Sequence, residues 1–131
     1  MTIQFSRRLA ICFGIFLPIA ETARRCHQLG DITVWPYWLD DWVIGGLLLY
    51  GAWRARSDLA AGRSFLAAAW GFTCAMAYDS FFSQLEFLDA PDPSGISSRI
   101  IVTIKGAGLL LAVAALVATL KWKPAAPTDV R

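Results

Sequence analysis

Residues 100–120 form an apolar run that contains a single charge, Lys105, and no face of polar side chains. A helix rises 1.5 Å per residue, so a run of ~20 residues reaches across a hydrocarbon core about 30 Å thick. A helix apolar on every side has no polar face to give to water, and this makes a soluble helical bundle the weaker reading. Three further apolar segments occupy residues 9–20, 42–53 and 65–78. They are shorter and reach across a bilayer only if their flanking polar residues enter the membrane region.

Composition agrees. Charged residues are 17% of the 131 and hydrophobic ones 56%, whereas a soluble domain usually carries about a quarter charged residues. The length suits one domain. The expected architecture is an all-α integral membrane protein, an antiparallel bundle of four transmembrane helices over residues 1–123 with a short cytoplasmic tail at 124–131.

Charge placement orients the bundle. Four spans put the amino terminus, the middle turn and the carboxyl terminus on one side. That side holds Arg7, Arg8, Arg54, Arg56, Arg63, Lys121, Lys123 and Arg131 against Asp58 and Asp129. The other side collects Asp31, Asp40, Asp41, Glu86, Asp89 and Asp92. By the positive-inside rule the basic side is cytoplasmic, with both termini inside, although Arg24, Arg25 and Arg99 fall on the opposite side. The expected location is the plasma membrane, as in a bacterial inner membrane, crossed several times. Arg7-Arg8 before an apolar run, with Ala20 and Ala23 behind it, also fits a secretory signal. The helical pattern continues through Glu21 to Arg25, which argues for a retained helix.

The connections carry their own signals. Residues 30–38, with Trp35, Tyr37 and Trp38, read as an outer linker whose aromatics anchor at the headgroups. Residues 56–62 read as a short inner turn. Residues 89–95 form a breaker-rich outer loop, after which Ser97 or Ser98 caps the last helix.

The depth of the charged residues is the most informative pattern. Glu21 lies thirteen residues beyond Arg8 and Asp41 thirteen before Arg54, while Asp79 lies sixteen beyond Arg63 and Lys105 sixteen before Lys121. These spacings correspond to about 20 to 24 Å of helix. Each helix thus carries a charge at one height, in the outer third of the membrane. Steps of three and four connect these charges to small residues: Ala67, Gly71 and Ala75 lead to Asp79, and Gly108, Ala112, Ala115 and Thr119 follow Lys105. Gly45 lies one turn from Asp41, and Gly14 and Pro18 precede Glu21. Small residues let membrane helices approach, and an ionised group facing lipid is costly, so these faces are expected inside. Leu110, Val113 and Val117 are then expected outside.

The candidate site is therefore an intramembrane polar layer of Glu21, Arg25, Asp41, Asp79 and Lys105. Glu21 pairs with Arg25 one turn along, and Lys105 is expected to meet Glu21, Asp41 or Asp79. Other chemistry finds little support. The three cysteines, Cys12, Cys26 and Cys74, are an odd number without a CxxC pair, so neither a disulfide framework nor a zinc site is expected. His27 is the lone histidine, too few for haem ligation from both sides. Asp79 and Glu86 stand about 10 Å apart along one helix face, too far to share an ion unaided. The Glu-x-x-His pairs of di-iron bundles are missing. No cofactor, metal or catalytic residue is expected. The net charge of +2, with no basic cluster interleaved with aromatics, gives no sign of a nucleic-acid partner. The expected partners are the lipid bilayer and either a second copy or a larger membrane protein. The leading expectation for function is a non-catalytic accessory or structural subunit of a membrane assembly. The alternative is an oligomeric transporter of a small solute, ion or proton that uses the charged layer.

Overall fold

The computed structural model describes residues 2–28, 30–88, 92 and 94–121, without the side chains of Val34 and Tyr37. The described chain is all-α. Helix α1 spans Ile3–Arg25, α2 spans Trp35–Ser57, α3 spans Leu59–Glu86 and α4 spans Ser98–Lys121, with single 3-10 turns at Cys26–Gln28 and Ile32–Val34. The tail expected beyond residue 123 and Asp89 of the outer loop lie outside the described residues.

Local chemistry sets the breaks. Asp31 ends the first connection by accepting from the backbone N–H and the hydroxyl of Thr33. Asp58 alone separates α2 from α3. Its extended backbone (φ −141°) reverses the chain, and its carboxylate accepts from the N–H groups of Ala60 and Ala61 at 3.1 and 3.2 Å. Before α4, Gly95 adopts φ +74°, a left-handed conformation that costs glycine little. The aromatic linker differs from expectation. Trp35 already belongs to α2, and Trp38 Nε1 donates to Thr22 Oγ1 of α1 at 2.9 Å. Thr22 in turn donates to the Pro18 carbonyl at 2.6 Å. The indole that was expected at the headgroups thus also ties two helices together.

Short connections make successive helices antiparallel neighbours, α1 on α2, α2 on α3 and α3 on α4. A less extensive packing of α1 on α4 closes the ring. Glycine sets two of these approaches. A Cβ on Gly45 would stand 2.7 Å from the Gly14 carbonyl and 2.6 Å from Pro18 Cγ. Pro18 has no N–H to give to that carbonyl, so the Gly14 carbonyl lacks its helical donor on the side that faces Gly45. At the tight turn, a Cβ on Gly62 would fall 2.2 Å from the Ala55 nitrogen.

The core sits at the basic end. Ala10, Leu48, Ala52, Leu66, Trp70, Ala112 and Ala115 are buried there, with Phe13 packed edge-on against Trp70 at 5.6 Å. Towards the acidic end the apolar core stops, although Asp92 and Ser98 are buried there. Past Pro18 in α1, before Ile44 in α2, past Thr73 in α3 and between Ser98 and Ala112 in α4, no described residue is buried.

The inward faces follow the expected small residues on three helices. Gly14, Pro18, Gly45, Ala112, Ala115 and Thr119 are buried, and Leu110, Val113 and Val117 are exposed. On α3 the expectation fails. Its buried face is Gly62, Leu66, Ala69, Trp70 and Thr73, whereas Ala75 and Asp79 are exposed and a Cβ on Gly71 would meet nothing within 4 Å. Large side chains, Leu66 and Trp70, fill the space that small ones were expected to leave.

Two helical stretches are long and apolar enough to cross a membrane, Ile3–Gln28 and Ser98–Lys121. The second has only 11% of its apolar window buried inside the protein. Its exposed surface includes Ile100, Ile104, Leu110, Leu111 and Leu120.

Candidate functional site

Where the core ends, the four helices line a partly open cavity of about 690 Å³. Glu21, Arg25, Asp41, Asp79 and Lys105 all line it, so residues from every helix converge on one space. Arg24 and Asp40 join them, with Ser80, Ser83 and Gln84 of α3. Phe13, Leu17, Ile44, Thr73 and Met76 form its inner part, next to the packed core. The chamber therefore grades from apolar near the core to charged near the acidic end.

One side of the charged zone is internally paired. Glu21 accepts from Arg25 Nε one turn on, and from Arg24 Nη1 at 3.3 Å. Arg24 also grips Asp92 from the loop before α4, donating from Nη2 at 2.8 Å and from Nε at 3.3 Å. The Asp92 side chain is fully enclosed. Burial works against its charge, but hydrogen bonds from Arg24 and from the backbone and hydroxyl of Ser94 prevail and hold its carboxyl at about 2. Arg24 and Asp92 thereby fasten the loop to the end of α1.

The expected ion pair of Lys105 does not form. Its Nζ donates to the Ser80 carbonyl at 3.2 Å and to Gln84 Oε1 at 3.0 Å, both on α3. Lys105 projects from α4 towards its neighbour α3, and polar groups of that helix reach it before any carboxylate. Asp41, half-buried on α2, and Asp79, exposed on α3, have no hydrogen-bond or ion-pair partner among the described residues. Gln84 was absent from the sequence reading, although it lies five residues beyond Asp79. An uncharged amide gives no depth signal in a search for charges.

A second polar cluster, at the basic end, also escaped that reading. Trp70 Nε1 donates to Ser6 Oγ at 2.8 Å, Ser6 Oγ and Thr119 Oγ1 lie 2.6 Å apart, and Thr119 Oγ1 donates to the Ala115 carbonyl at 2.8 Å. An indole only donates, a carbonyl only accepts and each hydroxyl holds one proton, so the order is fixed. Trp70 donates to Ser6, Ser6 to Thr119 and Thr119 to Ala115. Ser6 stands two turns before Gly14, on the stripe Ser6, Ala10, Gly14 and Pro18, which is a signal that steps of four could have supplied. Nearby, Arg63 donates to the carbonyls of Thr119 and Leu120 at 2.9 and 2.7 Å, satisfying the end of α4.

The thiols stand apart. Cys12 and Cys26 are exposed and Cys74 is half-buried against the core, all of them free. Among the described residues no three His, Cys, Asp or Glu side chains converge as a metal centre requires. No family model matches the chain, and neither a curated protein nor a solved structure matches it.

Proposed function

We propose that this chain crosses a membrane four times, as in a bacterial inner membrane, and that the acidic half of the bundle is a non-catalytic binding chamber for a small solute. The observation that carries the reading is the convergence of Glu21, Arg25, Asp41, Asp79 and Lys105, from all four helices, on one cavity of about 690 Å³. Ionisable groups at membrane depth are expensive and tend to mark binding sites and pathways. Ion pairs serving only to fix helix register would be paired throughout, and Asp41 and Asp79 are not.

Length supports the four spans. Helices α2 and α3 have 23 and 28 residues, enough for about 34 and 42 Å. What lowers their hydropathy is in part Asp40, Asp41 and Asp79, and those carboxylates line the chamber. The basic residues Arg7, Arg8, Arg54, Arg56, Arg63 and Lys121 gather at the opposite end. Four helices enclose a chamber more readily than a complete path, so transport would call for more than one copy of the chain.

A second reading, an accessory subunit held by a larger membrane protein, draws on the outward apolar surface of α4. Native mass spectrometry of the protein extracted from its own membranes in mild detergent separates the two. A small molecule that stays bound to the wild type and is lost from Asp79→Asn supports the chamber. A stable complex with a larger protein, and nothing in the chamber, overturns it in favour of the accessory role.

A further inference from the structure

Helix α1 is joined to α4 at the basic end and to the loop before α4 at the acidic end, and the two helices pack sparsely between. At the basic end Ser6 meets Thr119, and at the acidic end Arg24 holds Asp92. Counting along the antiparallel pair from the first contact brings Phe16 level with Leu109, and Glu21 level with Ile104. Around that level Phe16, Ile104, Ala107 and Leu111 line the chamber and are exposed, and α1 packs on α4 far less than the other neighbouring helices pack on one another. The chamber therefore opens sideways between the two helices. On the reading above this opening faces lipid, so a ligand that enters there needs an apolar part.

The charges select its sign. Four carboxylates, those of Glu21, Asp40, Asp41 and Asp79, line the chamber against Arg24, Arg25 and Lys105. Both arginines are engaged by Glu21, and Arg24 by Asp92 as well. Lys105 is held by the neutral Ser80 carbonyl and Gln84 amide and keeps its positive charge. Asp40, Asp41 and Asp79 outnumber it, so the charge left to attract a ligand is negative. Phe13, Phe16 and Phe87 add aromatic faces to the same walls, and these favour cations too.

We propose that the chamber takes an amphipathic organic cation, with its positive group against Asp41 and Asp79 and its apolar part along Phe13 and Phe16 towards the α1/α4 opening. The proposal rests on the acidic half being a binding chamber, and one experiment tests the two separately. A cysteine is placed at the chamber wall by Ala77→Cys, in a chain whose Cys12, Cys26 and Cys74 are replaced by alanine, and the protein is set in lipid nanodiscs. The readout is the rate at which a small thiol reagent modifies the new cysteine. Tetraphenylphosphonium is expected to slow the reaction saturably. Tetraphenylborate, of the same shape and opposite charge, and tetramethylammonium, which lacks apolar bulk, are expected to leave it unchanged at equal concentrations. Asp79→Asn should raise the half-protecting concentration about tenfold or more, and Asp79→Glu should largely restore it. Equal protection by the borate overturns the charge selection, and equal protection by tetramethylammonium overturns the need for an apolar part. A cysteine that reacts but is protected by no ion overturns the ligand class and leaves the chamber standing. A cysteine that never reacts overturns both.

Discussion

Ser6 and Thr119 stand 113 positions apart in the chain, and their hydroxyl oxygens lie 2.6 Å apart, fully buried. This contact joins the first helix to the last, and through Trp70 it includes the third. Because the proton order is fixed, Ser6 is both the acceptor of the indole N–H and the donor to Thr119. Ser6→Ala should therefore strand a buried donor and destabilise the protein by about 1–3 kcal/mol. Thr119→Val should cost a similar amount. The double variant should cost clearly less than the two together, since both break one chain of bonds. Thermal unfolding of the four proteins in one detergent measures this. Additive losses, or a Ser6→Ala variant as stable as the wild type, would show that the hydroxyl chain contributes nothing.

At the other end, Arg24 and Asp92 give the fold a dependence on acid. The Asp92 carboxyl moves from an ordinary 3.8 to about 2 on folding. A folded-state value below the unfolded one stabilises fully above the unfolded value, and the stabilisation disappears as pH falls through the folded one. The contribution should thus be complete above about pH 4 and lost on the way down to pH 2, with a size of about 2 kcal/mol. Asp92→Asn removes it at every pH. The gap in melting temperature between wild type and variant should be constant from pH 7 to pH 5 and close between pH 4 and pH 2. A gap that stays open at pH 2 would mean that the side-chain amide is damaging for reasons other than charge.

Much of this architecture was legible in the residues, and the misses have a common cause. Apolar runs and breakers locate four helices because backbone hydrogen bonding and turn chemistry are local. That Glu21, Asp41, Asp79 and Lys105 stand at one level of the bundle follows from helical rise alone, and all four line one cavity. Facing was legible where the pattern was one-sided, as for Gly14, Pro18, Ala112 and Ala115. It was not legible on α3, where Ala, Gly, Leu and Trp alternate closely enough for two faces to look alike. There the buried face is Gly62, Leu66, Ala69, Trp70 and Thr73, and Trp70 bonds from it to Ser6 of α1, a contact that no local pattern carries. The partner of Lys105 was hidden for a similar reason. Carboxylates on three helices stood at its height, but height carries no information about azimuth, and Gln84 and Ser80 stand nearer on the adjoining helix.

The rotation of α3 predicts opposite outcomes for two of its glycines. Gly62 meets the backbone of Arg54 and Ala55, and an added Cβ would lie 2.2–2.4 Å from three main-chain atoms. Backbone cannot rotate away, so Gly62→Ala must part α2 from α3 beside their turn and should cost about 1–3 kcal/mol. Gly71 has open space around it, and there Gly71→Ala should be neutral or add up to about 1 kcal/mol through helix propensity. Melting temperatures of the two variants test the facing directly. A damaging Gly71→Ala beside a silent Gly62→Ala would restore the inward stripe of Ala67, Gly71 and Ala75.

The native cysteines report whether α1 spans and which way. Cys26 is exposed just past the last turn of α1, beside His27 and next to the acidic end. Cys12 is exposed too, but it lies one turn from Arg8 on a helix flank rich in Ile11, Ile15 and Phe16. Maleimides react with the thiolate, which forms poorly in hydrocarbon. With the basic end in the cytoplasm, a membrane-impermeant maleimide added to intact cells should label Cys26 and spare Cys12. Cys26→Ser should abolish that labelling. If Cys26 reacts only after the membrane is opened, the orientation is the reverse of the one argued from charge. If Cys12 reacts from outside as fast as Cys26, the flank of α1 lies in water and the helix does not span.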